Sequence, residues 1–518
     1  MNLLSSPRWL SAAAGCALIL FVFLTVFDVI FVPVEKDEGI YAYAFRLVAE
    51  GKLPYRDFTY IESPGLPYYY AALLALPGID LRNVRILCAV TGFVALCLLL
   101  ACAARLGGKT AAAFCALLLF TNARLAEWFS RDVTYPLVTL LLASSLLIAL
   151  SRLPDRFRTA AQGALLALAG AVKASMGIVS LVWMGGMLLG HRRDRKAVLW
   201  GALAFGATLS LSIGPFLLAD PGAFFFNVVE AAVSRGRLFP FMRRPDALDQ
   251  WLEFGSGQKI LAARTILLGN FPMVILAAVI VLAGTPRLRF GKNGPASKIA
   301  PITAALALGV LFHWLFPSPS YPNYQMMLLP ALTVPLAVVY AASAEKWSGT
   351  GARRILLALP VVLGGLSLLE GANPDEAGLG VGTYRHGPQR ELTQLVERTV
   401  SPGGLLLTDY LPVAVEARRR VVPGNEGGRA SLVLGLDDRR AAALHVLNRS
   451  AFLAVLREGR AQGVVLTRQL FEDSFRAVPG FLEETEEALA SRYQLVKEFP
   501  ESVYFSYGRI RVYRLRDR

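Results

Sequence analysis

The sequence predicts an α-helical polytopic membrane protein of about eleven transmembrane helices, ending in an α/β domain outside the bilayer. Three observations predict it. The 518 residues are 55% hydrophobic and only 18% charged, with a mean hydropathy of +0.48, whereas soluble chains carry about 25% charged residues. Apolar runs recur through residue 372, and the sequence after it reads as ordinary soluble chain. The net charge of +15 sits largely in short loops between the runs, where the positive-inside rule places cations. No basic and aromatic recognition module accompanies that charge, so nucleic acid is not expected as a partner.

The first span follows from Arg8 and the about 25 apolar positions after it, too long for a signal-peptide core and therefore an uncleaved helix. Ala13-Ala14-Gly15-Cys16 looks like a lipoprotein cleavage site, but it stands at the start of the apolar run and such sites stand at the end. Later spans are expected at 85–104, 110–121, 136–150, 160–172, 177–189, 197–218, 265–283, 299–316, 325–342 and 355–369. Several are shorter than the ~20 residues of a full crossing. Five basic loops, beginning at Arg105, Arg152, Arg192, Arg287 and Lys346, each follow an even-numbered span and share the side of Arg8. That side is the cytoplasm, and the odd count puts the C-terminus outside. The expected division is a membrane domain, 1–372, with outer loops 34–84, 122–135 and 219–264, then an outer α/β domain, 373–518. Cys16, Cys88, Cys97, Cys102 and Cys115 lie in apolar segments without CxxC spacing, which predicts neither a disulfide framework nor a zinc site.

In the first outer loop, GIYAYAFRLVAEG reads as an amphipathic helix with Ile40, Tyr41, Ala44, Phe45 and Val48 on one face. SPGLPYYYAALLALPGI reads as a second, short interfacial helix. In the tail, GLLLTD and GVVLTR read as buried strands, ELTQLVERTV and RAAALHVLNRSAFLAVLREG as helices, and YQLVKEF, SVYFSYG and RIRVYRL as alternating strands. Asn448-Arg449-Ser450 is read as a chance match to a glycosylation sequon.

Asp37 and Glu38 stand just past the first span. Acidic residues there complement a helix macrodipole, and an ionisable group at a membrane boundary is also a functional candidate; both readings hold together. Asp132, beside Arg131 in NARLAEWFSRDVTYP, is either part of a solvated turn with an ion pair worth ~0–1 kcal/mol or a second carboxylate of one pocket. Lys173 lies at the outer end of the fifth span, where the charge alternation does not expect a lysine. Arg235, Arg237, Arg243 and Arg244 crowd the fourth loop, either to fork phosphate oxygens or to face anionic headgroups. His313 is read as a packed span-end residue. Asp28, inside the first span, either lines a groove or bonds a neighbouring helix.

DEGIYAYAFRLVAEGKLPYRDF, SPGLPYYYAALLALPG, NVRIL, SRDVTYPLVTLLLASSL, GALLALAGAVKASMGIV and SYPNYQMMLLPAL follow one another in an order similar to the GT-C class of polyprenyl-phosphate-sugar-dependent glycosyltransferases. That class includes the lipid A aminoarabinose and galacturonic acid transferases and the protein O-mannosyltransferases. The resemblance covers residues 1–342. It implies a GT-C-like helix bundle at the outer face of a bacterial inner membrane, with a periplasmic active site. The implied reaction is inverting transfer of a sugar from a polyprenyl-phosphate carrier to lipid A, an envelope glycan or a protein. Asp37 matches the family's catalytic aspartate with Glu38 beside it, Asp132 the second-loop acid, and Lys173 the lysine that meets the carrier phosphate. Arg131, Arg235, Arg237 and Arg243 join Lys173 as phosphate ligands, and Tyr41, Tyr55, Asp57, Glu62, Tyr321 and Tyr324 are assigned to the sugar and acceptor pocket.

No nucleotide is implied, and no Rossmann or P-loop glycine motif is present. Some lipid A transferases hold a metal between a first-loop glutamate, Glu62 by position, and fourth-loop histidines. No histidine stands between His191 and His313, so no metal ligand is assigned and a divalent metal stays open as a cofactor. A flippase for a lipid-linked sugar is the alternative from another class, but no half of the chain repeats and the acids gather at one face. A membrane-anchored binding protein working through its tail is a third reading.

Overall fold

The structure is a computed structural model that describes residues 7–32, 34–131, 133–231, 302–303, 305–309, 326–346, 387–468, 475–476, 478–500 and 508–516. Asp132, Arg235, Arg237, Arg243, Arg244, Tyr321, Tyr324 and His313 lie outside the described residues, as do the expected spans 265–283 and 355–369, most of 299–316, and SVYFSYG but for Gly508.

Helix α1 (Pro7–Phe31) is apolar all round and leaves Ile19, Phe23 and Val26 exposed, as a helix facing lipid does. The first loop then builds α2 (Lys36–Ala49) and α3 (Gly65–Leu74), where the two interfacial helices were expected. Asp80 caps α4 (Leu81–Phe120), its Oδ1 accepting from Asn83 N at 2.7 Å. The expected second and third spans both lie in α4, and the loop between them shrinks to Gly108, whose φ of 71° and ψ of −164° break the helical run. Only glycine adopts that conformation without strain.

Residues 122–135, expected as loop, contain helix α5 (Ala123–Arg131), which buries Leu125, Ala126 and Phe129. Asn122 starts it by accepting from Leu125 N at 2.9 Å. Helices α6 (Thr134–Ala149), α7 (Asp155–Val172), α8 (Met176–Gly190) and α9 (Arg195–Ala219) follow, then α10 (Pro221–Phe225), a π-turn (Phe226–Glu230) and α11 (Leu329–Lys346). α4 packs against α1, where Phe21 meets Phe120 at 5.2 Å, and against α11, where Phe114 stacks on Tyr340 at 3.8 Å.

Among the described residues three helices, α1, α4 and α9, are long and apolar enough to cross a membrane, or four if the bent pair α5–α6 is one span. The other expected spans within those residues are shorter helices, or, like α7, open on charges. α9 exposes Leu199, Trp200, Leu203, Leu211 and Leu218, an apolar stripe that water would not tolerate.

The tail forms a five-stranded sheet in the order β2-β1-β3-β5-β4. Its strands are β1 (Leu405–Thr408), β2 (Arg420–Val421), β3 (Gly463–Thr467), β4 (Tyr493–Phe499) and β5 (Ile510–Leu515). β1 runs parallel to β2 and β3, while β5 is antiparallel to β3 and β4. Asp409 locks the ends of β1 and β3, accepting from Thr467 N at 2.9 Å and from the Thr467 hydroxyl. Helices α12 (Gly387–Thr399), α13 (Leu411–Glu416), α14 (Asp438–Ala443), α15 (Arg449–Glu458) and α16 (Phe481–Arg492) surround the sheet.

RAAALHVLNRSAFLAVLREG, expected as one helix, is two. His445 takes a φ of 54°, and Asn448 begins α15 by accepting from Ala451 N at 2.9 Å. The Asn448 amide also donates to Leu436 O and Asp438, so the sequon asparagine is a buried cap. One apolar core runs from Ala42 and Phe45 of α2 into Tyr410, Val413 and Val446 of the tail.

Glu426, in the turn after β2, sits by Lys52 of the first loop and accepts from Gly424 N at 2.8 Å. Burial pushes its carboxyl from 4.5 up to about 7. A carboxyl raised on folding binds more protons folded than unfolded between those values. It therefore costs stability above pH about 7, and the cost disappears as the pH falls toward 4.5. Glu426→Gln should raise Tm at pH 8 and change it little at pH 5, in paired thermal-unfolding curves.

Candidate active site

The first centre forms where α1 ends and α2 begins. Glu35 takes the N-cap position, Asp37 and Glu38 occupy the second and third helical positions, and Glu35 N donates to Glu38 Oε1 at 2.8 Å. The two neighbouring acids then diverge. Asp37 is exposed to solvent, while Glu38 is 2% exposed.

Glu38 is held by Arg85, one turn into α4. Arg85 Nε donates to Glu38 Oε2 at 2.5 Å and Nη2 to Oε1 at 2.7 Å, and Nη1 reaches Val32 O at 2.7 Å. The fork therefore ties α4 to α2 and to the chain leaving α1. Two buried charges are tolerable only when geometry and added hydrogen bonds replace their water, and this pair has both. Beside it, burial pushes the Glu35 carboxyl up to about 7; Asp37, Glu38 and Glu127 add to the rise and Arg131 opposes it.

The tail holds α2 from the other side. A Cβ on Gly39 would meet Pro412 Cδ at 2.2 Å, so only glycine lets α13 approach this closely. Val421 N donates to Tyr43 Oη at 2.9 Å, Tyr410 Oη to Val34 O at 3.4 Å, and Leu81 N to Glu416 Oε1 at 3.0 Å. Asp37 thus projects from a helix fixed on both flanks.

The second centre lies at the end of α7. Lys173 takes the C-cap position, and its Nζ donates to Glu62 Oε1 at 3.0 Å, the side chains 11% and 13% exposed. Tyr55 Oη donates to Glu62 O at 2.5 Å. Tyr55 is buried with a φ of 70°, its ring edge-on to Phe216 and Phe224, and burial raises its phenol well above the usual range, so it remains a neutral donor. A Cβ on Gly65 would come within 2.8 Å of Ala171 O, which fixes the start of α3 against the end of α7.

The structure brings together Glu38 with Arg85, and Lys173 with Glu62 and Tyr55. Tyr41 is half-buried on α2. Asp57 accepts from Leu53 N at 2.8 Å and forks with Arg56, whose guanidinium holds the carboxyl below its ordinary range; it closes its own turn. Arg131, 10% exposed at its side chain, sits 3.3 Å from Glu127, and its Nε has no hydrogen-bond partner among the described residues.

Sequence reading missed Arg85, Glu35, Glu127, Tyr410 and Pro412. A signal existed for Arg85: an arginine opening an apolar run needs a buried partner. Glu62, the carboxylate nearest a metal role, holds Lys173, and no group of three His, Cys, Asp or Glu among the described residues could hold a metal.

No family model and no curated protein sequence matches the chain. Solved structures do. ArnT from Cupriavidus metallidurans bound to undecaprenyl phosphate superposes with a TM-score of 0.58 over 98% of both chains at 16% identity. The fold is that of the GT-C glycosyltransferases. The same enzyme in its apo state gives 0.57 at 17% identity, covering 97% of this chain and 98% of that one. The Archaeoglobus fulgidus oligosaccharyltransferase tethered with an acceptor peptide gives 0.55 at 12% identity, over 97% of this chain and 74% of that one. The likeness to ArnT extends beyond the membrane half, where the sequence motifs end, and takes in the tail.

Removing one partner of the buried pair strands a charge, at a cost of about 3–5 kcal/mol. Arg85→Met alone should therefore lower Tm sharply, and Arg85→Met with Glu38→Gln should recover much of the loss, in thermal unfolding of the purified protein.

Proposed function

We propose that the protein is an inverting glycosyltransferase that moves a sugar from a polyprenyl-phosphate carrier to an acceptor at the outer face of a bacterial inner membrane. The observation that carries this reading is the full-length GT-C fold with an exposed Asp37 on a doubly fixed helix. ArnT, in the form bound to undecaprenyl phosphate, shares that fold, and the apolar stripes of α1 and α9 suit a chain that meets such a carrier in the bilayer.

In this reading Asp37 accepts the proton of an acceptor hydroxyl or amine as that atom attacks the anomeric carbon. The bond from that carbon to the phosphate oxygen breaks, and the carrier phosphate leaves with the electron pair. Lys173 and Arg131 neutralise it, and Asp132, Arg235, Arg237 and Arg243 complete the acidic and phosphate-binding sets. Loss of one such charged contact costs on the order of 10²–10³ in rate. Glu38 mounts Asp37 through Arg85 and does not itself take a proton. Tyr41, Tyr321 and Tyr324 are assigned to the sugar and acceptor pocket, Tyr55 serves it from behind by holding Glu62, and the tail, 373–518, is assigned to the periplasmic side with the acceptor. Lipid A, an envelope glycan or a protein can each supply the nucleophile.

Mass spectrometry of lipid A, envelope glycans and envelope proteins tests this in a strain lacking the protein. One defined sugar should disappear, return with the wild type, and stay absent with Asp37→Asn at equal protein level. Unchanged lipid A, glycans and envelope proteins in the deletion strain, or full restoration by Asp37→Asn, would contradict the reading; the second result would favour carriage of a lipid-linked sugar over its transfer.

A further inference from the structure

Lys173 and Glu62 come from segments 111 residues apart and meet at 3.0 Å with both side chains nearly shut from water. A lysine so placed needs an anion, and in this structure the protein supplies its own. We propose that Glu62 is a displaceable stand-in for the carrier phosphate: it holds Lys173 in position when the site is empty, yields to the phosphate when donor binds, and returns to expel the spent carrier. This rests on the reading that Lys173 meets that phosphate.

Three features carry the inference. Backbone on both sides of the pair is closely packed and hydrogen-bonded. Tyr55 grips Glu62 O at 2.5 Å from a strained, buried position, and Gly65 lies so close to Ala171 O that a Cβ would stand at 2.8 Å. Exchange of partners is therefore left to the side chains. A lysine suits that exchange, since its ammonium is a compact charge on a flexible stem with rotatable donors and no fixed fork.

The third feature is charge. The donor is a phosphodiester with one negative charge, while the released monoester carries about −1.5 to −2 at neutral pH. A site of cations alone would hold product more tightly than donor and slow turnover. A resident carboxylate at contact distance offsets this, because it competes for the ammonium and repels the more charged species harder. The acceptor proton goes to Asp37, and the bond to the anomeric carbon forms as the carbon–oxygen bond to the phosphate breaks.

Binding of undecaprenyl monophosphate to the purified full-length protein in nanodiscs tests the proposal. Glu62→Gln, which keeps shape and removes charge, should bind it about tenfold more tightly than wild type. Lys173→Gln should bind it more weakly, and Glu62→Asp should resemble wild type. In steady state Glu62→Gln should lower KM for the donor and kcat together, with stronger inhibition by the monophosphate. Unchanged or weaker binding by Glu62→Gln at wild-type Tm would overturn the stand-in role and leave the carrier reading intact. No binding by wild type or any variant would overturn the carrier reading, and the stand-in role with it.

Discussion

The bidentate pair between Glu38 and Arg85 is the constraint on which the rest of the site depends. It joins the exit of α1, the first turn of α2 and the first turn of α4, with the charges shut from water and the third arginine nitrogen on a backbone carbonyl. Its charge-assisted hydrogen bonds replace the water that both groups give up on burial. Because Glu38 faces inward at the third position of α2, helical geometry turns the adjacent Asp37 outward. One acid anchors and its neighbour stays available.

The tail completes that mount and is more than an appended domain. Pro412 against Gly39, Val421 on Tyr43 and Glu416 at the N-terminus of α4 place α13 over the first loop, and the apolar core is continuous across the contact. The Glu62 and Lys173 pair repeats the principle at the other end of the loop, with Tyr55 and Gly65 fixing the backbone. The loop therefore spans two electrostatic clasps, one fully buried and one slightly more open to solvent.

Much of this is legible in the sequence. The 3.6-residue pattern of GIYAYAFRLVAEG gives α2, short apolar runs between turn residues give β1 and β3, and the ordered motifs give the GT-C class. Local pattern could not give the pairings: Arg85 finds Glu38 across 47 residues and Lys173 finds Glu62 across 111, and only packing brings those charges together. Helix α5 was hidden because NARLAEWFSR carries enough charge to pass for a loop, although its apolar residues bury one face. The break at His445 was hidden because alanine and leucine on both sides favour helix, while the cap at Asn448 and the tertiary fit favour two.

The most direct measurement is the single-turnover rate of sugar transfer in proteoliposomes, read beside Tm, for Asp37→Asn and Glu38→Gln. We expect Asp37→Asn to lose on the order of 10²–10³ in rate with Tm unchanged, and Glu38→Gln to lose Tm first, with its rate falling as the mount loosens. A wild-type rate in Asp37→Asn, or a fall in Tm for Asp37→Asn as large as that for Glu38→Gln, would contradict the division of the pair into an anchor and a base.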